Sequence, residues 1–143
     1  MPHLKTFGLG ILAAACLLGE ATGSAHAQCD PCATEWSGHR VINLGGLPGF
    51  TMSNPVSIND AGRIVGYSDA GPLGITFATE WSGGMVINLG GLPGSSSSRA
   101  NSINDAGRAV GSSEVGFFNH AVEWRGRSVI SLGVFQASQT AKP

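Results

Sequence analysis

A tandem repeat constrains this chain more than any other feature. Ala33-Thr34-Glu35-Trp36-Ser37-Gly38 recurs as Ala78-Thr79-Glu80-Trp81-Ser82-Gly83 and returns, altered, as Ala121-Val122-Glu123-Trp124-Arg125-Gly126. Val41-Ile42-Asn43-Leu44-Gly45-Gly46-Leu47-Pro48-Gly49 recurs from Val86 through Gly94, and its third copy keeps Val129-Ile130-Ser131-Leu132-Gly133. Ser57-Ile58-Asn59-Asp60-Ala61-Gly62-Arg63 recurs as Ser102 through Arg108. Trp36 and Trp81 are 45 residues apart, Trp81 and Trp124 are 43 apart, and the blocks keep their order. A period of this size is the mark of a stacked repeat architecture, in which one unit cannot bury its apolar face without the next.

Each copy reads as four short strands. Ala-Thr-Glu-Trp is a strand that ends in a large ring. The Ser-Gly after it is a tight turn in which glycine takes a positive φ. Val-Ile-Asn-Leu is a second strand of mostly β-branched residues. Leu-Gly-Gly-Leu-Pro-Gly is a loop, because this composition continues neither strand nor helix. Pro55 to Ile58 and Ala100 to Ile103 are third strands. Asn59-Asp60-Ala61-Gly62 and Asn104-Asp105-Ala106-Gly107 are hairpin turns, in which Asp60 and Asp105 are expected to bond the downstream backbone and Gly62 and Gly107 to take the left-handed position. Arg63 to Tyr67 and Arg108 to Ser112 are fourth strands, and Ser95 to Ser98 reads as a flexible loop. Beyond the first segment no window carries a helical apolar period. The expectation is an all-β chain of ten strands: four-stranded repeats with the plan of β-propeller blades, about two and a half copies, not closed as a monomer. Trp36, Trp81 and Trp124, equivalent in the repeat, are expected between stacked sheets, where each ring buries a large area.

The segment before the repeat has a different character. Residues 1–27 read as a secretory signal: His3 and Lys5 in a short n-region, an apolar run from Phe7 to Leu18, and Ala25-His26-Ala27 before the cleavage point. The run is shorter than the roughly 20 residues of a membrane span. The mature chain then begins at Gln28 in the periplasm or outside the cell. A second reading attaches a lipid at Cys16, since Leu12-Ala13-Ala14-Ala15-Cys16 is similar to a lipoprotein box with its Leu one place early; only then is a membrane a partner. The divisions are residues 28–32 as a short lead, 33–133 as the repeat domain (copies 33–77, 78–120 and a partial 121–133), and 134–143 as a tail.

The repeat resembles that of the HAF family of extracellular repeat proteins, which are bacterial, exported and of no established biochemical function. That family's pattern is a His-Ala-Phe-x-Trp strand, a Leu-Gly-x-Leu-x-Gly loop and an Ile-Asn-x-x-Gly-x-x-Val-Gly hairpin. His120-Ala121-Val122-Glu123-Trp124 keeps the His, Ala and Trp, whereas the other two copies keep only the Ala and Trp. The loop and the Ile-Asn-Asp-Ala-Gly turn match in both full copies. The resemblance spans about Ala33 to Gly133 and implies a secreted repeat protein.

Candidate chemistry is sparse. Cys29-Asp30-Pro31-Cys32 holds the only cysteines left after cleavage, and in an oxidising compartment it reads as a local disulfide. A redox role would want the motif at a helix N-terminus. A zinc site would need two further ligands, and His39 and His120 stand at a spacing that fits no common pattern. No calcium loop follows Asp60 or Asp105. The Ser-x-Asn-Asp-x-Gly string is similar to the Asp-box turn of sialidase-like propellers, with its Asp one place late. Glu35, Glu80 and Glu123 lie on the strand face opposite their Trp neighbours and read as a solvated face. Only 12% of residues are charged and the net charge is −1, which leaves no basic surplus for nucleic acid. No metal or organic cofactor is expected.

The functional expectation is therefore a non-catalytic interaction or structural module, with an unknown protein or glycan as ligand and self-association through open sheet edges. Two alternatives stand beside it: a truncated remnant of a longer repeat protein, and a fragment of a propeller-type carbohydrate-active enzyme using the three glutamates.

Overall fold

The computed structural model describes residues 32–134. Within them the chain forms ten strands: β1 (Ala33–Ser37), β2 (Arg40–Gly45), β3 (Met52–Ile58), β4 (Ile64–Asp69), β5 (Thr76–Ser82), β6 (Met85–Asn88), β7 (Ser95–Ile103), β8 (Arg108–Val115), β9 (Phe118–Arg125) and β10 (Ser128–Gly133). The only helical turn among the described residues is a 3-10 turn at Gly71–Leu73. The strands form a two-stranded sheet, β1-β2, and two four-stranded sheets, β3-β4-β5-β6 and β7-β8-β9-β10. Every pairing is antiparallel between chain neighbours, so each sheet is a meander built from hairpins. The sheets do not close on themselves.

The hairpin turns follow from the glycines. Ser37 pairs with Arg40, Ser82 with Met85 and Arg125 with Ser128, leaving two residues in each loop. Gly38, Gly83, Gly84 and Gly126 there have positive φ, as tight hairpins require. The wider turns after β3 and β7 also use glycine: Gly62 and Gly107 sit at φ 73 and 75, and their N–H groups donate to the carbonyls of Asn59 and Asn104. The side chain that holds each turn is Asn rather than the expected Asp. Asn59 Oδ1 accepts from the Arg63 N–H and Asn104 Oδ1 from the Arg108 N–H, both at 2.9 Å. Asp60 and Asp105 are exposed. Bonding the residue four places on requires the first position of the turn, and Asn occupies it.

Two strands run longer than their sequence suggests. The Ser95 to Ser98 stretch is not a loop but the first half of β7. Its backbone is paired with Ser113 to Val115 of β8, and pairing overrides the weak strand preference of serine. Likewise β3 begins at Met52, ahead of Pro55. Proline is tolerated there because β3 is an edge strand with a register shift between Pro55 and Ser57.

The three sheets stack face to face. Ala33, Ile64 and Trp81, with Leu44 and Val86 against them, fill the space between the first and second sheets. Val65, Ala78, Leu89, Ala100, Ile103, Ala109, Val122 and Trp124 fill the space between the second and third. Each four-stranded sheet takes two strands from one sequence copy and two from the next, since β3 to β6 runs through position 77.

Candidate interaction surface

The repeat places the same hydrogen-bonded junction at both sheet interfaces. Trp81 Nε1 donates to the Gly45 carbonyl at 3.1 Å and Trp124 Nε1 to the Gly90 carbonyl at 3.2 Å. The Ser53 and Ser98 hydroxyls donate to the same two carbonyls at 2.8 Å. Each hydroxyl also accepts a backbone N–H, from Ala33 at 2.8 Å and Ala78 at 3.0 Å. Ser68 and Ser113 accept the N–H of Leu47 and Leu92 in the glycine loops. The loop backbone of one sheet is thus read by the indole and hydroxyls of the next, and its polar groups can be buried without loss. None of these serines stood out as functional in the sequence, although Ser53 and Ser98, like Ser68 and Ser113, recur at the repeat spacing.

The three tryptophans part company here. Trp81 and Trp124 are buried, but Trp36 is 73% exposed. Its equivalents are covered by the glycine loop of the preceding sheet, and among the described residues no sheet precedes the first. The expected burial of Trp36 therefore does not occur. Among the described residues no further sheet covers the opposite end either. On the outer face of the third sheet Val110 is 41% and Leu132 57% exposed, whereas their equivalents Val65 and Leu89 are 0% and 6% exposed.

The glutamates are not a solvated face either. Glu80 is buried and takes two hydrogen bonds from Arg63, Nε to Oε1 and Nη2 to Oε2, both at 2.8 Å. Glu123 is buried beneath the matching pair from Arg108, with Arg125 Nε adding a contact at 2.6 Å. Such forked pairs are the stronger class of ionic hydrogen bond. The Arg108 hydrogen bond, then that of Arg125, holds the Glu123 carboxyl at about 2, well below its ordinary value. The same bonding raises Arg63 and Arg108 above the usual guanidinium range. Glu35, the third equivalent, has no such arginine among the described residues: the strand that supplies it in the other sheets is β4 or β8, and the first sheet has no counterpart. The sequence signal for the pairing was available, because Arg63 and Arg108 recur with their glutamates.

Other candidate residues scatter. The turns carrying Asp60 and Asp105 meet at the second interface: Asp105 Oδ1 accepts the Asp60 N–H at 3.1 Å, and Asn59 Nδ2 donates to the Asn104 carbonyl at 3.0 Å. Cys32 is disulfide-bonded, and Cys29, its expected partner, lies outside the described residues, as do the signal segment and Cys16. Among the described residues no group of three His, Cys, Asp or Glu side chains is arranged to hold a metal ion, and no helix is long and apolar enough to cross a membrane.

Beside the open edge of β1 lies a cleft of about 270 Å³ lined by Thr34, Glu35, Trp36, Pro55, Val56, Ser57, Ile58 and Ile64. In the second and third sheets the equivalent edge is covered by β4 or β8.

No family model, no curated protein and no solved structure matches this chain.

Proposed function

We propose that this chain is a secreted or periplasmic, non-catalytic repeat protein of the HAF type, with propeller-like blades that serve as an interaction or structural module. The observation that carries the reading is the pair of uncovered apolar sheet surfaces: Trp36 at one end, Val110 and Leu132 at the other. Large apolar surface left open on a small domain marks a place where another molecule sits. Either a protein or a glycan suits an exposed tryptophan, and open edges favour self-association. The carbohydrate-enzyme reading is weakened by the engagement of Glu80 and Glu123 with arginines, which leaves neither carboxylate free for acid-base work.

The testing experiment is the solution mass of residues 28–143 by light scattering after gel filtration. One defined multimer supports the module reading. A broad, aggregating distribution favours the second reading, a remnant of a longer repeat protein. N-terminal sequencing of the exported product checks the processing point, with Gln28 as the expected first residue.

A further inference from the structure

We propose that the cleft beside β1 is an acceptor site for an added β-strand, and that its ligand is an extended peptide segment of the pattern Arg-x-Val. The chain itself supplies the template twice. In the second sheet β4 lies antiparallel on β5, with Ile64 opposite Trp81 and Val65 opposite Glu80. In the third sheet β8 lies on β9, with Ala109 opposite Trp124 and Val110 opposite Glu123. In both, the arginine two places before the residue opposite the glutamate forks onto that glutamate. The first sheet offers the same receiving edge, Thr34-Glu35-Trp36, with nothing among the described residues upon it.

Three features of the cleft say what fits. Among the described residues its edge pairs with no second strand, and such an edge takes an extended chain by hydrogen bonding. Its carboxylate, Glu35, stands where Glu80 and Glu123 receive a guanidinium, so the incoming strand carries arginine two places before the residue opposite Glu35. Its floor is apolar: Ile58 is 55% exposed there, while its equivalent Ile103 is 7% exposed and shares a core cluster with Val65. A valine opposite Glu35 covers Ile58 as Val65 covers Ile103. No arginine occurs in residues 1–31 or 135–143, so those segments offer no guanidinium to Glu35. The ligand is a strand from another polypeptide of this repeat type, a second copy included.

This inference rests on the interaction reading and names its partner class. The test uses a labelled peptide of residues 52–69, which contains Arg63 and Val65, titrated into the purified 28–143 chain by fluorescence polarisation. Hydrogen exchange is followed at residues 33–37. Saturable one-to-one binding with slowed exchange there is expected. Glu35→Gln, or Arg63→Gln in the peptide, weakens it at least tenfold, while a Glu114→Gln chain binds unchanged. If the chain alone is a multimer whose 33–37 amides are already slow, the peptide displaces the partner and lowers the mass. Absence of binding, or binding indifferent to Glu35→Gln, overturns the proposal while leaving a multimer found by light scattering in force. So does a monomer whose 33–37 amides are already protected, since its own terminus then fills the cleft.

Discussion

The indole N–H of Trp81 reaches the carbonyl of Gly45, 36 residues back in the chain and in the neighbouring sheet. That contact fixes the separation of two sheets with one polar bond and one large apolar ring. Its repetition by Trp124 and Gly90 makes the loop glycines and the tryptophans one mechanical unit. Trp81→Ala and Trp124→Ala should each lower the free energy of unfolding by ~3–5 kcal/mol, the cost of emptying a large buried aromatic site. Trp36→Ala should change it by less than ~0.5 kcal/mol. Urea unfolding of the three variants measures both, and equal losses at all three positions would refute the stacking account.

Ser98 carries the hydroxyl that joins the Ala78 N–H to the Gly90 carbonyl. Ser98→Ala strands a buried N–H, which costs ~1–3 kcal/mol. Slowed exchange at the Ala78 amide in the parent chain, lost in the variant, is the second expected sign.

Gly66 and Gly111 lie where β3 and β7 shift register against their neighbours. A Cβ there would meet the carbonyl oxygens of Asn54 and Arg99 at 1.9 and 2.0 Å. Both contacts are backbone, which cannot rotate away. Gly66→Ala and Gly111→Ala should therefore destabilise by at least the upper end of the ~1–3 kcal/mol of ordinary overpacking. Thermal melts should show the drop, while Gly38→Ala is burdened only by its positive φ of 60.

Glu80→Gln removes the charge that two Arg63 nitrogens hold. Glu80 is buried and Arg63 is 29% exposed, so water screens part of the pair. The expected loss lies below the ~3–5 kcal/mol of a fully buried pair. It should be salt-sensitive in the parent and less so in the variant.

Acid should act through Glu123. Its folded value of about 2 lies below the ordinary 4.5, so the folded state holds fewer protons than the unfolded state between those values. The contribution is complete above pH 4.5 and is lost as pH falls through 2. Urea midpoints measured from pH 6 down to pH 2 should decline in that window. Glu123→Gln should remove part of the decline, and an unchanged slope would show that other carboxyls set it.

Much of this architecture is legible in the sequence. The strand order, the glycine turns and the loop after each Val-Ile-Asn-Leu follow from local backbone chemistry, and local chemistry recurs with the repeat. Sheet-to-sheet relationships were harder to read. Glu80 and Glu123 alternate with tryptophans, which correctly puts them on the other face; that Glu80's face is also an interface depends on the third sheet, and the burial of Glu123 on the outer face depends on Arg108 and Arg125. Trp36 failed for the complementary reason: equivalence in sequence carries no information about whether a neighbour is present. Ser95 to Ser98 misled because four serines carry little strand preference of their own, and only pairing with β8 decides them. The two residues by which the second tryptophan spacing falls short are lost between β8 and β9. There Glu114 pairs with Asn119 across four residues, whereas the equivalent pair, Asp69 and Thr76, is separated by six.

The offset between sequence copies and sheets bears on how such a gene changes length. Unequal recombination between two copies inserts or deletes one period wherever the crossover falls. Because both four-stranded sheets are cut from two adjoining copies in the same phase, the product gains or loses one whole four-stranded sheet and keeps the same terminal surfaces. Length can drift in evolution without creating a new kind of exposed end.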